Sequence, residues 1–254
     1  VTNNTWDVSS TAENYTRLDS AAATTLDWVA FDVSTAVFVD SFSVAGQEAT
    51  PTGVAFNTDG TKMFVCGDTG NDVNEYALTT GFDVSTASFT DAFSVAGQEG
   101  VLNDVAFNTD GTKMFIVGSD GDDVNEYALS TGFDVSTSVF TDAFSVAGQE
   151  ISPQGLAFNT DGTKMFVVGQ TGDDVNEYAL TTGFDVSTAS FTDAFSVAAQ
   201  ESAPKGVAFN TDGTKMFVVG GSGDAVYEYA LTTGFDVSTA SFTDSFSVTS
   251  QETA

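Results

Sequence analysis

The chain has 254 residues, 41% of them hydrophobic, and a formal net charge of −30 from 36 acidic against 6 basic residues. A surface this acidic repels phosphate backbones and excludes nucleic acid as a partner. No apolar run nears the roughly 20 residues of a spanning helix, so membrane insertion is not expected. Self-repulsion on this scale destabilises a compact state at low ionic strength and is screened by salt. A saline or calcium-rich setting outside the cell, or on a cell or virion surface, is therefore expected. The absence of histidine removes the commonest general base and transition-metal ligand. Cys66 is the single cysteine, and its repeat counterparts are Val117, Val168 and Val219, so it reads as a packing residue. The chain starts at Val1, as expected of a piece of something longer or of a protein whose leader was removed.

Residues 1–30 contain no phenylalanine but hold Trp6, Tyr15, Trp28 and the sole arginine, Arg17. They have room for three strands. Phe31-Asp32-Val33-Ser34-Thr35, with Phe38 and Phe42, then matches the second half of a longer unit that repeats downstream. That unit is spelled GVAFNTDGTKMFVCG at Gly53 and returns as DVAFNTDGTKMFIVG, GLAFNTDGTKMFVVG and GVAFNTDGTKMFVVG. Phe56, Phe107, Phe158 and Phe209 fall 51 residues apart, a period expected of a solenoid or a propeller.

Within one unit, Gly53–Phe56 predicts a first strand. Asn57-Thr58-Asp59-Gly60 predicts a hairpin turn, and Lys62–Gly67 a second strand. A Gly/Asp loop leads to a third strand at Val73–Leu78. The Gly81–Thr86 stretch turns the chain into a last strand, Phe89–Val95. Simple alternation puts Phe89, Phe93 and Val95 on one face and strands Asp91 on that apolar side without a reason. Tyr76, Tyr127, Tyr178 and Tyr229 are expected between units with their hydroxyls reaching water. Four-stranded units with apolar groups on both faces cannot stand alone and must stack. The small Gly53 and Ala55 suit a strand crowded at a ring axis.

The GxAFxxDGxxMFVxG stretch followed by DVNEYAL resembles the YVTN- and NHL-type propeller repeats over the four full units. The resemblance implies blade architecture and leaves function open, since such folds host enzymes, surface-layer proteins and interaction modules. The expectation is an all-β propeller of four-stranded antiparallel blades occupying residues 1–254. Residues 51–101, 102–152, 153–203 and 204–254 form regular blades, and 1–50 a divergent first one, closing a five-bladed ring.

The repeats differ from each other mainly in the links between units and in the loop after the second strand. Both fall on one face of the disc, where loops on a rigid scaffold carry function. The candidate ligand-binding residues are Asp68, Asn71, Asp120, Asp122, Gln170, Asp173, Ser222, Asp224 and Tyr227, the last standing where the other repeats have asparagine. Asp120, Asp122 and Asp123 form a candidate calcium loop, an acidic and glycine-turned run of hard oxygen donors. No other cofactor is expected. Near-identical repeats present equivalent carboxylates rather than one acid and one base, and no nucleophile elbow or phosphate loop occurs, so catalysis is not expected. The reading is a multivalent adhesion module for a glycan or surface polymer. The alternative is a structural building block that assembles with copies of itself, and a glycosidase-like enzyme ranks last.

Overall fold

A computed structural model describes residues 32–249. They form four antiparallel four-stranded sheets, each in simple meander order. The first blade comprises β1 (Pro51–Phe56), β2 (Lys62–Gly67), β3 (Asp72–Leu78) and β4 (Ala87–Ser94). The second comprises β5 (Leu102–Phe107), β6 (Lys113–Gly118), β7 (Asp123–Leu129) and β8 (Ser138–Ser145). The third runs through β9 (Pro153–Phe158), β10 (Lys164–Gly169), β11 (Asp174–Leu180) and β12 (Ala189–Ser196). The fourth runs through β13 (Pro204–Phe209), β14 (Lys215–Gly220), β15 (Ala225–Leu231) and β16 (Ala240–Ser247). The strands β1, β5, β9 and β13 pack side by side in that order, so the fold is a β-propeller with these strands innermost. The five-blade expectation depends on residues 1–30, which lie outside the described residues.

Turn chemistry sets each blade. In the first hairpin Asn57 Oδ1 accepts from Lys62 N at 2.9 Å and Asp59 Oδ1 from Thr61 N at 3.0 Å. Gly60 sits at φ +70°, and a Cβ there would also run into the Phe82 ring, so both conformation and space demand glycine. The Asp83-Val84-Ser85-Thr86 turn is a short 3-10 helix, capped by Asp83 Oδ1 accepting from Ser85 N at 3.1 Å.

The last strand departs from simple alternation. Glu75 pairs with Asp91 and Tyr76 with Phe89, so Thr90 is the extra residue of a β-bulge. The bulge reverses the side-chain phase between Phe89 and Phe93. Phe89 meets Tyr76 of its own blade edge-on at 5.8 Å, whereas Phe93 meets Tyr127 of the next blade at 5.7 Å. The predicted common face for Phe89 and Phe93 is thereby corrected. Asp91 is exposed, its Oδ1 accepting from Ala92 N at 2.8 Å, which removes the apparent apolar placement.

The core lies between blades. Phe64 and Phe107 approach to 4.3 Å between ring centroids, with Phe133 stacked on Phe64 at 6.2 Å. Burying each such ring contributes about 1.5–3 kcal/mol. The four repeat tyrosines are fully buried, and Tyr76 donates its hydroxyl to Gln47 Oε1 at 3.4 Å rather than to water. Buried methionines at 63, 114, 165 and 216 and Cys66 fill the same seams.

A polar clip joins successive blades at the same level. Lys113 Nζ lies 2.7 Å from Glu126 Oε1 and donates to the Phe184 carbonyl of the next blade at 2.6 Å. Glu126 Oε2 in turn accepts from Val186 N of that next blade at 3.1 Å. Lys62 with Glu75 and Lys164 with Glu177 repeat the arrangement. Buried carboxylates survive there because each is both ion-paired and hydrogen-bonded.

Candidate functional site

The expected ligand-binding residues sit on the loops between second and third strands, except Tyr227, which lies on β15 just beyond its loop, and the neighbouring inter-blade links approach those loops. Thr50 Oγ1 and Thr69 Oγ1, one from each region, are 2.6 Å apart. Within the loops, however, much of the chemistry is internal. Asn71, Asp122, Asp173 and Asp224 adopt φ of 51°, 53°, 53° and 46°, the left-handed region that Asn and Asp tolerate best. Their carbonyls accept from Val95, Val146, Val197 and Val248 N, anchoring the end of each last strand. Asp120 N donates to Glu99 Oε1 at 3.0 Å, and Ser222 donates both its backbone N–H and its hydroxyl to Glu201 Oε1. Asp68, Gln170 and Asp224 are exposed, and Tyr227 is half-buried against the Gly223 backbone. Asp120, Asp122 and Asp123 do not converge: among the described residues no three Asp, Glu, Cys or His side chains are grouped as a metal ion requires.

The Val-Ala-Gly-Gln-Glu turns, Val-Ala-Ala-Gln-Glu before the fourth blade, each carry a buried glutamate that the sequence analysis does not single out. Glu48 Oε1 accepts from Thr50 N at 2.7 Å and Thr69 N at 3.1 Å, tying a link to the neighbouring loop. Glu150 and Glu201 do the same with Ser152 and Thr171 and with Ala203 and Ser222. Burial opposes the charge of Glu99 and raises its pKa despite two backbone hydrogen bonds. These carboxylates organise loops rather than face solvent.

One acid breaks the symmetry. The innermost strands carry Gly53, Gly155 and Gly206 at one position, and the second blade carries Asp104 there. Close approach favours glycine at two of these: a Cβ on Gly53 would lie 2.8 Å from the Asp104 Cα and one on Gly155 2.5 Å from the Lys205 carbonyl oxygen. Asp104 instead leans across the seam, Oδ2 accepting from Leu156 N of the third blade at 2.9 Å and Oδ1 from Val105 N at 2.8 Å. The residue is half-buried on the axial wall, and burial raises its pKa from 3.8 to about 7, the two backbone donors opposing the shift only in part. Burial and the Asp104 charge both push the neighbouring Cys66 thiol far up, which keeps it protonated. Asp104 is thus a carboxyl that changes charge near neutrality on a scaffold otherwise repeated four times. The sequence held the signal, a lone Asp in a column of glycines, but only its axial setting gives it meaning.

No family model matches the chain, and no curated protein does. Solved structures share the fold. One, from Bacteroides fragilis, is named a "putative 6-phosphogluconolactonase". It is 14% identical with a TM-score of 0.53, over 78% of this chain and 55% of that one. A Bacteroides uniformis protein of the same name is 12% identical at a TM-score of 0.52, over 82% and 58% of the two chains. Kuenenia stuttgartiensis hydrazine synthase is 13% identical at a TM-score of 0.51, over 82% and 52%. The chain spans a little over half the length of these proteins, and the likeness establishes the propeller fold. The expectation of a non-catalytic adhesion or assembly module is corrected to this extent: two of these propellers carry the name of a 6-phosphogluconolactonase and none of the three that of an adhesin. Among the described residues no helix is long and apolar enough to cross a membrane.

Proposed function

We propose that the chain is a hydrolase of sugar-type lactones with Asp104 as general base on the propeller axis. The observation that carries this reading is Asp104 itself, a single half-buried carboxyl placed where the other repeats have glycine and held by two backbone N–H groups. A base with a pKa near the working pH combines a useful ionised fraction with real proton affinity. The fold-level likeness to proteins named as lactonases supplies the reaction class by analogy.

In this reading the Asp104 carboxylate takes a proton from a water molecule. The water oxygen adds to the lactone carbonyl carbon, and the ring ester C–O bond breaks. The departing ring oxygen takes the proton back from Asp104, leaving a hydroxy acid and the carboxylate. Nothing beyond water and the lactone is consumed.

The test is proton release at constant pH from five- and six-membered aldonolactones, with the spontaneous rate subtracted. Asp104→Asn and Asp104→Gly should each lose about 10²–10⁴-fold, the usual worth of a positioned base. The glycine variant is the cleaner control because it restores what three repeats already contain. A wild-type rate no greater than the spontaneous one, or full activity in Asp104→Gly, overturns the assignment.

A further inference from the structure

We propose that the N–H of the Gly53–Val54 peptide is the donor that receives the lactone carbonyl oxygen as that oxygen becomes negative. This inference rests on the hydrolase reading of Asp104 and adds a second catalytic group to it.

The strand register shows where that N–H points. β1 is an edge strand, with β2 on one side and no strand of its own sheet on the other. Asn57 N donates to the Lys62 carbonyl at 3.1 Å, so the bonded pairs of this antiparallel ladder continue at Ala55 with Phe64 and at Gly53 with Cys66. Val54, opposite Val65, falls in a non-bonded pair and turns its N–H away from β2, towards the axis. The same register recurs at Val105, Leu156 and Val207. Two of these four N–H groups reveal what they bind, since Val105 N and Leu156 N donate to the Asp104 carboxyl at 2.8 Å and 2.9 Å. The axis at this level is lined by main-chain donors that hold carboxyl oxygens.

Of the two remaining donors, Val54 N lies beside the reacting group. Gly53 packs so closely on Asp104 that a Cβ there would be 2.7 Å from Oδ1, and the next peptide carries the Val54 N–H. Val207 shares the register, but among the described residues no hydrogen bond joins Asp104 to β13. When water adds, its oxygen bonds to the carbonyl carbon, the C=O π pair moves onto the carbonyl oxygen, and the water proton passes to Asp104. The negative charge thereby shifts from carboxylate to oxyanion, and no charge is added to a chain that already carries −30. A fixed N–H at the receiving oxygen stabilises that shift without reorganisation. The carbonyl re-forms as the ring C–O bond breaks, and the leaving oxygen takes the proton from Asp104.

Incorporating the α-hydroxy acid analogue of valine at position 54 turns this amide into an ester and deletes the N–H. Hydrolysis of five- and six-membered aldonolactones should then lose about 10²–10³-fold in kcat, the usual worth of one such donor. KM and the pH inflection due to Asp104 should stay in place. The same ester at Val207 weakens the preceding carbonyl equally and should leave kcat unchanged. Val54→Pro, compatible with an edge strand whose N–H lies outside the ladder, should reproduce the loss. Full kcat in both Val54 variants overturns the inference and leaves Asp104 as the base. So does an equal loss at Val54 and Val207, the mark of a weakened ladder. Wild-type hydrolysis no faster than the spontaneous rate overturns this inference and the hydrolase reading together.

Discussion

Replacing Asp104 with glycine should change how stability depends on pH, by an amount that follows from the structure. In the folded chain burial holds the Asp104 carboxyl protonated up to about pH 7, while an unfolded chain releases that proton near the ordinary value of 3.8. Between those values the folded state binds more protons than the unfolded one, so the contribution of Asp104 to stability falls as pH rises through the window. It is fully present below the lower value and lost above the upper one. A gap of about three pKa units corresponds to about 4 kcal/mol, an upper bound because solvent entry and relaxation soften burial. Asp104→Gly removes this dependence. It also removes the acceptor for Val105 N and Leu156 N, at about 1 kcal/mol each for the neutral acid and more for the carboxylate, which offsets part of the burial effect as pH rises. Guanidinium unfolding of both proteins from about pH 4 to about pH 8 gives the difference directly, with the remaining acidic groups cancelling between them. Relative to the variant, wild type should lose roughly 2–4 kcal/mol across that range. A difference that stays flat would show Asp104 titrating as an ordinary surface carboxyl and would remove the basis for its role.

Other consequences concern the blade seams. Lys113→Met leaves Glu126 buried without its cation and should cost about 2–3 kcal/mol in chemical unfolding. Adding Glu126→Gln should recover part of that loss, and an unchanged midpoint in the single variant would refute the clip. Gly111→Ala meets both a φ of +71° and the Phe133 ring, so it should destabilise by at least about 1 kcal/mol and lower Tm. A neutral result would mean that the hairpin relaxes without cost.

The blade was legible in the sequence because its determinants are local. The Asp59-Gly60 hairpin, the alternating Lys62–Gly67 strand and the Asp83 turn each sit within a few residues of their partners, and β2 has the predicted bounds. The Thr90 bulge was hidden because composition does not reveal an unpaired residue; only the register against Glu75 and Tyr76 does. Tyr76 finds Gln47 across a blade boundary 29 residues away, a partner that local alternation does not reveal, so its hydroxyl bonds to protein and not to water as expected. The loop residues looked like ligand groups because they vary and are polar. Asn71 and Asp122 also suit a left-handed turn that the neighbouring strand end requires, a structural demand that composition does not reveal. Asp104 was visible as a letter, but its significance comes from a seam with Leu156, 52 residues on.

The most direct test of the account is the pH profile of kcat/KM for lactone hydrolysis, in wild type and Asp104→Gly. With Asp104 as the base, the wild-type rate should rise with pH through an inflection at about 7, and both the rate and the inflection should be lost in the variant. An unchanged profile after removal of Asp104, or no hydrolysis by wild type above the spontaneous rate, would contradict it.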